Sequence, residues 1–298
     1  MLVRSNLRVE EVVRETWRPL AVFFVLDLLV TIAYVGFGWT WITPNSIPLP
    51  LLGTGLAVFL GLRNNTAYAR WWEARTLWGA VVNHSRSLAR SLSAMMTNPE
   101  SQPARHRIIQ HQIAFVHALR LSLRREDVPR KLVRFLAEDD LDVVRSAANI
   151  PFAIHTRMAE MIGEELRANR IDSIEASALN TIMSDLSNAQ GGLERIRNTP
   201  MPRQYAALPG VFVSIYCVLL PFGFVPELNF LTPLGSAAIG LMFLTLDMSG
   251  RHLEDPFTRS AHEIPMTAIT RTIEIDLKHT LGDENRPAPL RPVFGVLT

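Results

Sequence analysis

The chain is poor in the features that define several large protein classes. It has one cysteine, Cys217, set inside an apolar run, so no disulfide within the chain and no cysteine-based zinc motif is possible. Charged residues make up 19%, against about a quarter in an ordinary soluble domain. The formal charge of +2 over 298 residues gives no ground for nucleic-acid binding. No stretch alternates apolar and polar residues as a half-buried strand would, and no solenoid repeat or low-complexity tract is present. A Ser-His-Asp grouping, a phosphate loop and paired helical carboxylates are all missing. The chain is therefore not read as an enzyme, and no cofactor or metal is expected. The first eighteen residues alternate Arg and Glu and carry no cleavable signal pattern.

What the chain has is apolar sequence in long pieces. Hydrophobic residues make up 48% and mean hydropathy is +0.14. Residues 20–39 are broken only by Asp27 and Thr31. At about 1.5 Å per residue such a helix crosses a hydrocarbon core of ~30 Å. Residues 47–62 form a shorter segment that opens on Pro48 and Pro50 and runs on into an arginine-rich stretch. Residues 208–225 and 230–246 form a second pair around the turn Pro226-Glu227-Leu228-Asn229. The linker 40–46 carries no charge, so the first two segments are read as a tight hairpin.

Arginines orient the two hairpins. They flank the segments at Arg4, Arg8, Arg14 and Arg18, at Arg63, Arg70 and Arg75, at Arg195, Arg197 and Arg203, and at Arg251 and Arg259. Neither hairpin tip holds Lys or Arg. The positive-inside rule then places both termini and the long middle in the cytoplasm, with the chain multi-pass in the cell (inner) membrane.

The middle has helical periodicity and no membrane-length run. Ile108, Ile109, Ile113, Val116 and Leu119 recur at spacings of three to four, as do Ile171, Ile174, Leu179, Ile182, Met183 and Leu186. Residues 99–103 read as a loop, Gly191-Gly192 as a kink or helix end, and 198–202 as a rigid turn. The tail after Gly282 is Pro-rich and read as extended or partly disordered. The expected division is 1–80 (N-terminal segment and first hairpin), 81–205 (cytoplasmic helices), 206–250 (second hairpin) and 251–298 (cytoplasmic C-terminal segment), intertwined as one domain.

Three blocks carry a resemblance. The run Phe59-Leu60-Gly61-Leu62-Arg63-Asn64 followed by Arg70-Trp71-Trp72-Glu73 resembles the bacterial bestrophin pattern. So does Glu194-Arg195-Ile196-Arg197-Asn198-Thr199-Pro200-Met201-Pro202. Glu254-Asp255-Pro256-Phe257 is similar to the family's Asn/Asp-Pro-Phe block. Together, in this order, they cover nearly the whole chain. The resemblance implies an all-α membrane protein with four transmembrane helices in two hairpins and a helical cytoplasmic domain. It further implies a homopentamer around a central pore that passes monovalent ions, chloride by family precedent. A cation (sodium) channel and a non-conducting membrane scaffold remain the alternatives. The partners are then the chain itself, the lipid bilayer and the permeant ions, with no nucleic acid.

The family's narrow neck maps onto Thr54, Val58 and Leu62, counting back from Trp71. Their i, i+4, i+8 spacing puts all three on one helical stripe. Gly53, Ala57 and Gly61 form the neighbouring stripe, whose small residues suit close packing between subunits. The family's cytoplasmic aperture, counted back from Arg195, falls on Ile182, which also fits the apolar face of its helix. Animal bestrophins hold calcium with an acidic run after the Pro-Phe block. Here that run is Thr258-Arg259-Ser260-Ala261-His262-Glu263. Calcium takes about six to eight oxygen ligands. Glu254, Asp255 and Glu263 are the remnant positions, Arg259 stands where an acid is needed, and no calcium gating is expected.

Three further groups have competing readings. Asp27 lies mid-membrane, where a carboxylate is costly unless paired or wetted; it reads as a structural carboxylate between helices or as a pore contact. His106, His111 and His117 are spaced by five and six, whereas helical metal pairs want three or four, so they read as surface or core residues. Trp71 and Trp72 read as interface anchors, or as cation–π partners of Arg70 or Arg75.

Overall fold

The computed structural model describes residues 9–43, 48–128, 132–133, 135–260, 262–293 and 295–297. Ser46 and Ile47, Arg4 and Arg8, and Ala261 of the expectations above lie outside them. The elements are α1 (Val9–Thr31), α2 (Leu49–Met95), α3 (Gln102–Leu123), α4 (Glu138–Arg145), α5 (Ile150–Arg167), α6 (Ser173–Asn198), α7 (Arg203–Leu228), α8 (Thr232–Glu254) and α9 (Met266–Thr280). Among the described residues no strand forms beyond an isolated bridge between Val293 and Val296. The chain divides into two compact units: Ser5–Trp71 with Met201–Asp255, and Trp72–Pro200 with Pro256–Thr298. The 47-residue α2 contributes 49–71 to the first and 72–95 to the second.

In the first unit α1 packs on α7 and α8. The stretches Val12–Gly36 and Arg203–Glu254, each containing an 18-residue run of mean hydropathy 2.1, are long and apolar enough to cross a membrane. The second holds α7 and α8, joined through the single 3-10 turn Asn229–Leu231. So short a connection leaves the two helices antiparallel neighbours. The apolar part of α2, 49–62, is fourteen residues before Arg63. That is about 21 Å of helix, less than a ~30 Å hydrocarbon core. Leu56 and Leu60 of α2 pack with Val213, Tyr216, Cys217, Leu220, Phe243 and Leu244 in one core. Val22, Val25, Leu29, Val211, Ile215, Leu234 and Met242 face outward instead. An outer surface this apolar belongs in lipid rather than water.

The second unit is built around α3. Every residue from Ile108 to Leu119 except Gln110 is buried, because α5, α6 and α9 all pack on this helix. A helix buried on all sides must satisfy its polar groups internally. Gln112 donates to Ser85 Oγ at 2.8 Å. His111 Nδ1 contacts the Arg107 carbonyl at 2.8 Å and its Nε2 stands 3.2 Å from Asp140. His117 Nε2 stands 3.1 Å from Glu274, while His106 is exposed beside Gln110.

Four local expectations fail. The loop expected at 99–103 is a 3-10 turn, Pro99–Ser101, that runs into α3 at Gln102, and the turn expected at 226–229 falls at Asn229–Leu231, with residues 226–228 still in α7. The Gly191-Gly192 pair neither kinks nor ends α6, which continues to Asn198. A Cβ on Gly192 would come within 2.8 Å of Leu77 Cδ1, so the glycine serves the close approach of α6 to α2. Ile174 is 78% exposed and does not belong to the buried face of α6. Asp172 caps the helix, its side chain accepting from the Ile174 and Glu175 amides while Glu175 accepts from the Asp172 amide. This capping box fixes the first turn, and the buried face begins at Leu179.

Candidate functional site

Along α2 the inward positions repeat at helical spacing: Leu49, Leu56, Leu60, Arg63 and Ala67 are buried, and Ala74, Trp78, Val81, Ser85, Leu88 and Leu92 continue the pattern. The opposite face is open. Thr54 is exposed, and Val58 and Leu62 are each 59% exposed. An apolar stripe left open on a single chain is what an axial pore lining would leave. The Thr54 hydroxyl donates to the Pro50 carbonyl at 2.8 Å, so its hydrogen bond is satisfied within the helix. Of the neighbouring small residues, Ala57 and Gly61 are exposed, and a Cβ on Gly61 would meet nothing within 4 Å. Gly53 differs: a Cβ there would lie 2.5 Å from Tyr216 Oη, so this glycine makes room for α7 of its own chain.

One residue past Leu62 the helix turns a charge inward. The Arg63 side chain is fully buried, with Nη1 2.8 Å from Asp247 Oδ1 and 2.9 Å from the Asp247 carbonyl. Arg251 holds the other Asp247 oxygen at 2.6 Å, and Glu254 lies 3.7 Å from Arg63 Nη2. Asn64 Nδ2 donates to the Leu246 carbonyl at 3.0 Å, and Arg70 Nε to the Glu254 carbonyl at 3.1 Å. Gly250 permits this approach, because a Cβ there would overlap Asn64 Oδ1. In sequence Asp247 reads only as the end of an apolar segment. The one signal of the pairing is an acid closing one apolar run and an arginine closing another.

Asp27 is 1% exposed on α1, and its Oδ1 meets no hydrogen-bond donor among the described residues. The hydrogen-bonded structural role expected for it is thus not visible at that oxygen. The Trp71 ring stacks beside Tyr68, centroids 6.3 Å apart, and Trp72 is exposed.

Ile182 sits half-buried on α6, beside the buried Leu179, Met183 and Leu186. Three residues on, the Asp185 carboxylate lies 3.8 Å from His84 Nδ1 on α2. Further along the same two helices Arg195 pairs with Glu73.

The remnant calcium positions have partners of their own. Glu254 faces Arg63, and Asp255 is half-buried. Glu263 is 1% exposed and held by Arg124 at 3.0 Å. Burial pushes its carboxyl above the usual range, and Arg124 draws it only part of the way back. Arg259 binds Glu126 at 2.7 Å, so a guanidinium fills the acidic run with positive charge. Among the described residues no group of three or more His, Cys, Asp or Glu is arranged to hold a metal ion. His111 and His117 each face a carboxylate, not one another.

Comparison with known proteins bears out the resemblance that the three blocks carry. The family described as Bacterial/Fungal Bestrophin protein matches residues 5–279. The voltage-dependent anion channel-forming protein YneE of Escherichia coli K12 is 36% identical over 273 residues, covering 90% of this chain and 88% of that protein. The voltage-dependent anion channel-forming protein mll4386 of Mesorhizobium japonicum is 34% identical over 239 residues, covering 80% and 76%. The crystal structure of a bacterial bestrophin homolog from Klebsiella pneumoniae superposes with a TM-score of 0.85 at 31% identity, covering 89% of this chain and 98% of that one. With a family match over most of its length and an all-helical fold of this arrangement, the chain is a membrane protein of the bacterial and fungal bestrophin family.

Proposed function

We propose that the chain is the subunit of a homopentameric channel that passes monovalent anions, with both termini and the helical region 81–205 on the cytoplasmic side. The observation that carries this reading is the open stripe Thr54, Val58 and Leu62 on a helix that packs within the chain through Leu49, Leu56, Leu60 and Arg63. One copy offers too few apolar helices to enclose a pore, so a ring of copies must supply the wall. An apolar ring lowers the barrier for ions that shed water easily and can close by dewetting. The relatives' description as voltage-dependent anion channel-forming proteins supports the ion class. Ile182 is proposed as the cytoplasmic constriction, and Ala57 and Gly61 as part of the contact between neighbouring subunits. With Arg124 holding Glu263, Arg63 facing Glu254 and Arg259 standing in the acidic run, conduction is expected without calcium.

Purified protein in liposomes tests this. Passive chloride flux with no energy source, together with a native mass of five subunits in detergent, is the expected result. A monomer or dimer without flux would sink the channel reading. Reversal potentials across a sodium chloride gradient distinguish anion from cation conduction. The exposed Glu227 in the last turn of α7 is the feature that would favour cations.

Leu62→Ala is expected to raise flux several-fold while leaving the pentamer intact, because Leu62 makes little contact within its own chain. Unchanged flux, with Ile182→Ala changing it strongly, would move the controlling constriction from the neck to the aperture.

A further inference from the structure

A cavity of about 460 Å³ lies in the unit formed by Trp72–Pro200 with Pro256–Thr298. Three elements wall it: α3 through Arg120 and Arg124, the segment after the Pro-Phe block through Arg259, Ser260 and Glu263, and α9 through Thr267. This wall is rich in hydrogen-bond donors. A guanidinium carries five N–H groups and accepts nothing. Thr267 Oγ1 accepts from Arg124 Nη1 at 2.9 Å and from Arg120 Nη1 at 3.4 Å, and Ser260 Oγ accepts from the His262 amide at 3.2 Å. Both hydroxyls therefore keep their own hydrogens to donate.

The lining is also net positive. Arg120, Arg124 and Arg259 face one carboxylate in the wall, Glu263, and Arg259 is shared with Glu126 at 2.7 Å. Among the polar side chains of the wall, Glu263 alone has no hydrogen to give when ionised. It is 1% exposed, and its Oε2 accepts from Arg124 Nη2 at 3.0 Å. Its Oε1 meets no donor among the described residues. A buried carboxylate oxygen left without a donor is costly. The cavity thus suits a small anion that offers several acceptor oxygens and a single donor.

We propose that this cavity binds a protonated tetrahedral oxyanion of the hydrogen-phosphate class, its oxygens accepting from the arginines, Ser260 and Thr267 and its hydroxyl donating to Glu263. The planar fork of arginine matches phosphate oxygens. Inorganic phosphate keeps a proton at neutral pH. Sulfate keeps none and would set an oxygen lone pair against Glu263 Oε1. A phosphodiester lipid headgroup lacks the proton as well. No lining residue belongs to Val12–Gly36 or Arg203–Glu254, the two stretches able to cross a membrane, so the ligand is dissolved phosphate rather than lipid. Bound there, it ties Arg259 and α9 to α3 and stabilises that unit by mass action. Conduction plays no part in it.

Equilibrium dialysis of the detergent-solubilised protein against radiolabelled phosphate tests this, at neutral pH with chloride holding ionic strength fixed. Binding should saturate at a single phosphate per chain, excess sulfate should displace little of it, and phosphate should raise the unfolding midpoint. Arg259→Gln should weaken phosphate about tenfold, the scale of one hydrogen bond to a charged group. Its midpoint without phosphate should stay near that of the unaltered protein, because the Arg259 side chain is 70% exposed and exposed ion pairs contribute little. Glu263→Gln should narrow the preference for phosphate over sulfate, since an amide can also donate. Should that buried variant fail to fold, Arg259→Gln and the sulfate competition still decide. Absence of saturable binding, sulfate bound as tightly as phosphate, or full affinity in Arg259→Gln each overturns the inference. A midpoint raised by phosphatidylglycerol and not by phosphate would assign the cavity to lipid and overturn it too.

Discussion

Arg63→Ala is expected to cost about 3–5 kcal/mol of stability, the scale of removing one partner from a buried ion pair. The loss falls on Asp247, 2% exposed, which keeps Arg251 but loses the guanidinium that meets both its carboxylate and its carbonyl. Glu254 loses its buried partner as well. Detergent-solubilised protein should show a sharply lowered unfolding midpoint and poor yield. The double variant Arg63→Met with Asp247→Leu should recover much of the loss, because it removes both charges and fills similar volume. If the double variant were as unstable as the sum of the single changes, the pair would not be the reason for the defect. Arg63 lies one position from Leu62, so the same ion pair would fix the end of the proposed neck.

Acidification from pH 7 to pH 4 is expected to remove about 3 kcal/mol through His155 alone, a tenfold difference in proton affinity between folded and unfolded chain being worth about 1.4 kcal/mol. Burial lowers this imidazole from 6.5 to about 4. The side chain is packed against Phe115 at 5.2 Å between ring centroids and contacts Ser187. The unfolded chain takes up the proton near 6.5 and the folded chain does so only near 4. Stability is therefore full above 6.5, falls between 6.5 and 4, and levels off below. His111, also lowered by burial, loses stability in the same direction. Asp140 acts only at lower pH. Burial raises its carboxyl, but His111, Arg107 and Arg157 outweigh that and hold it below the ordinary value. His155→Gln can keep the Ser187 contact and cannot titrate. Its unfolding midpoint should fall much less over the same pH range, and parallel profiles for the two proteins would refute the assignment.

The candidate site is legible in the sequence wherever its cause is local. Thr54, Val58 and Leu62 share a stripe because any helix puts residues four apart on one face, whatever surrounds it. The capping box at Asp172 and Glu175 is equally local, yet Ile174 fits the buried face by spacing, because spacing alone does not say where a helix begins. Gly191-Gly192 misleads for a similar reason. Glycine is poor for a helix taken alone, but the closeness of Leu77 makes it useful there.

Composition and periodicity over a few turns are enough for the helical class and the apolar segments, whereas the position of the stripe on α2 and the loss of acids after the Pro-Phe block rest on the family resemblance. Packing alone establishes that Arg63 turns inward to Asp247, 184 positions away, that Gly53 serves Tyr216 of the same chain, and that His84 stands beside Asp185. These pairings depend on which helix faces meet. A charge carries no mark of its distant partner until packing removes water from around both.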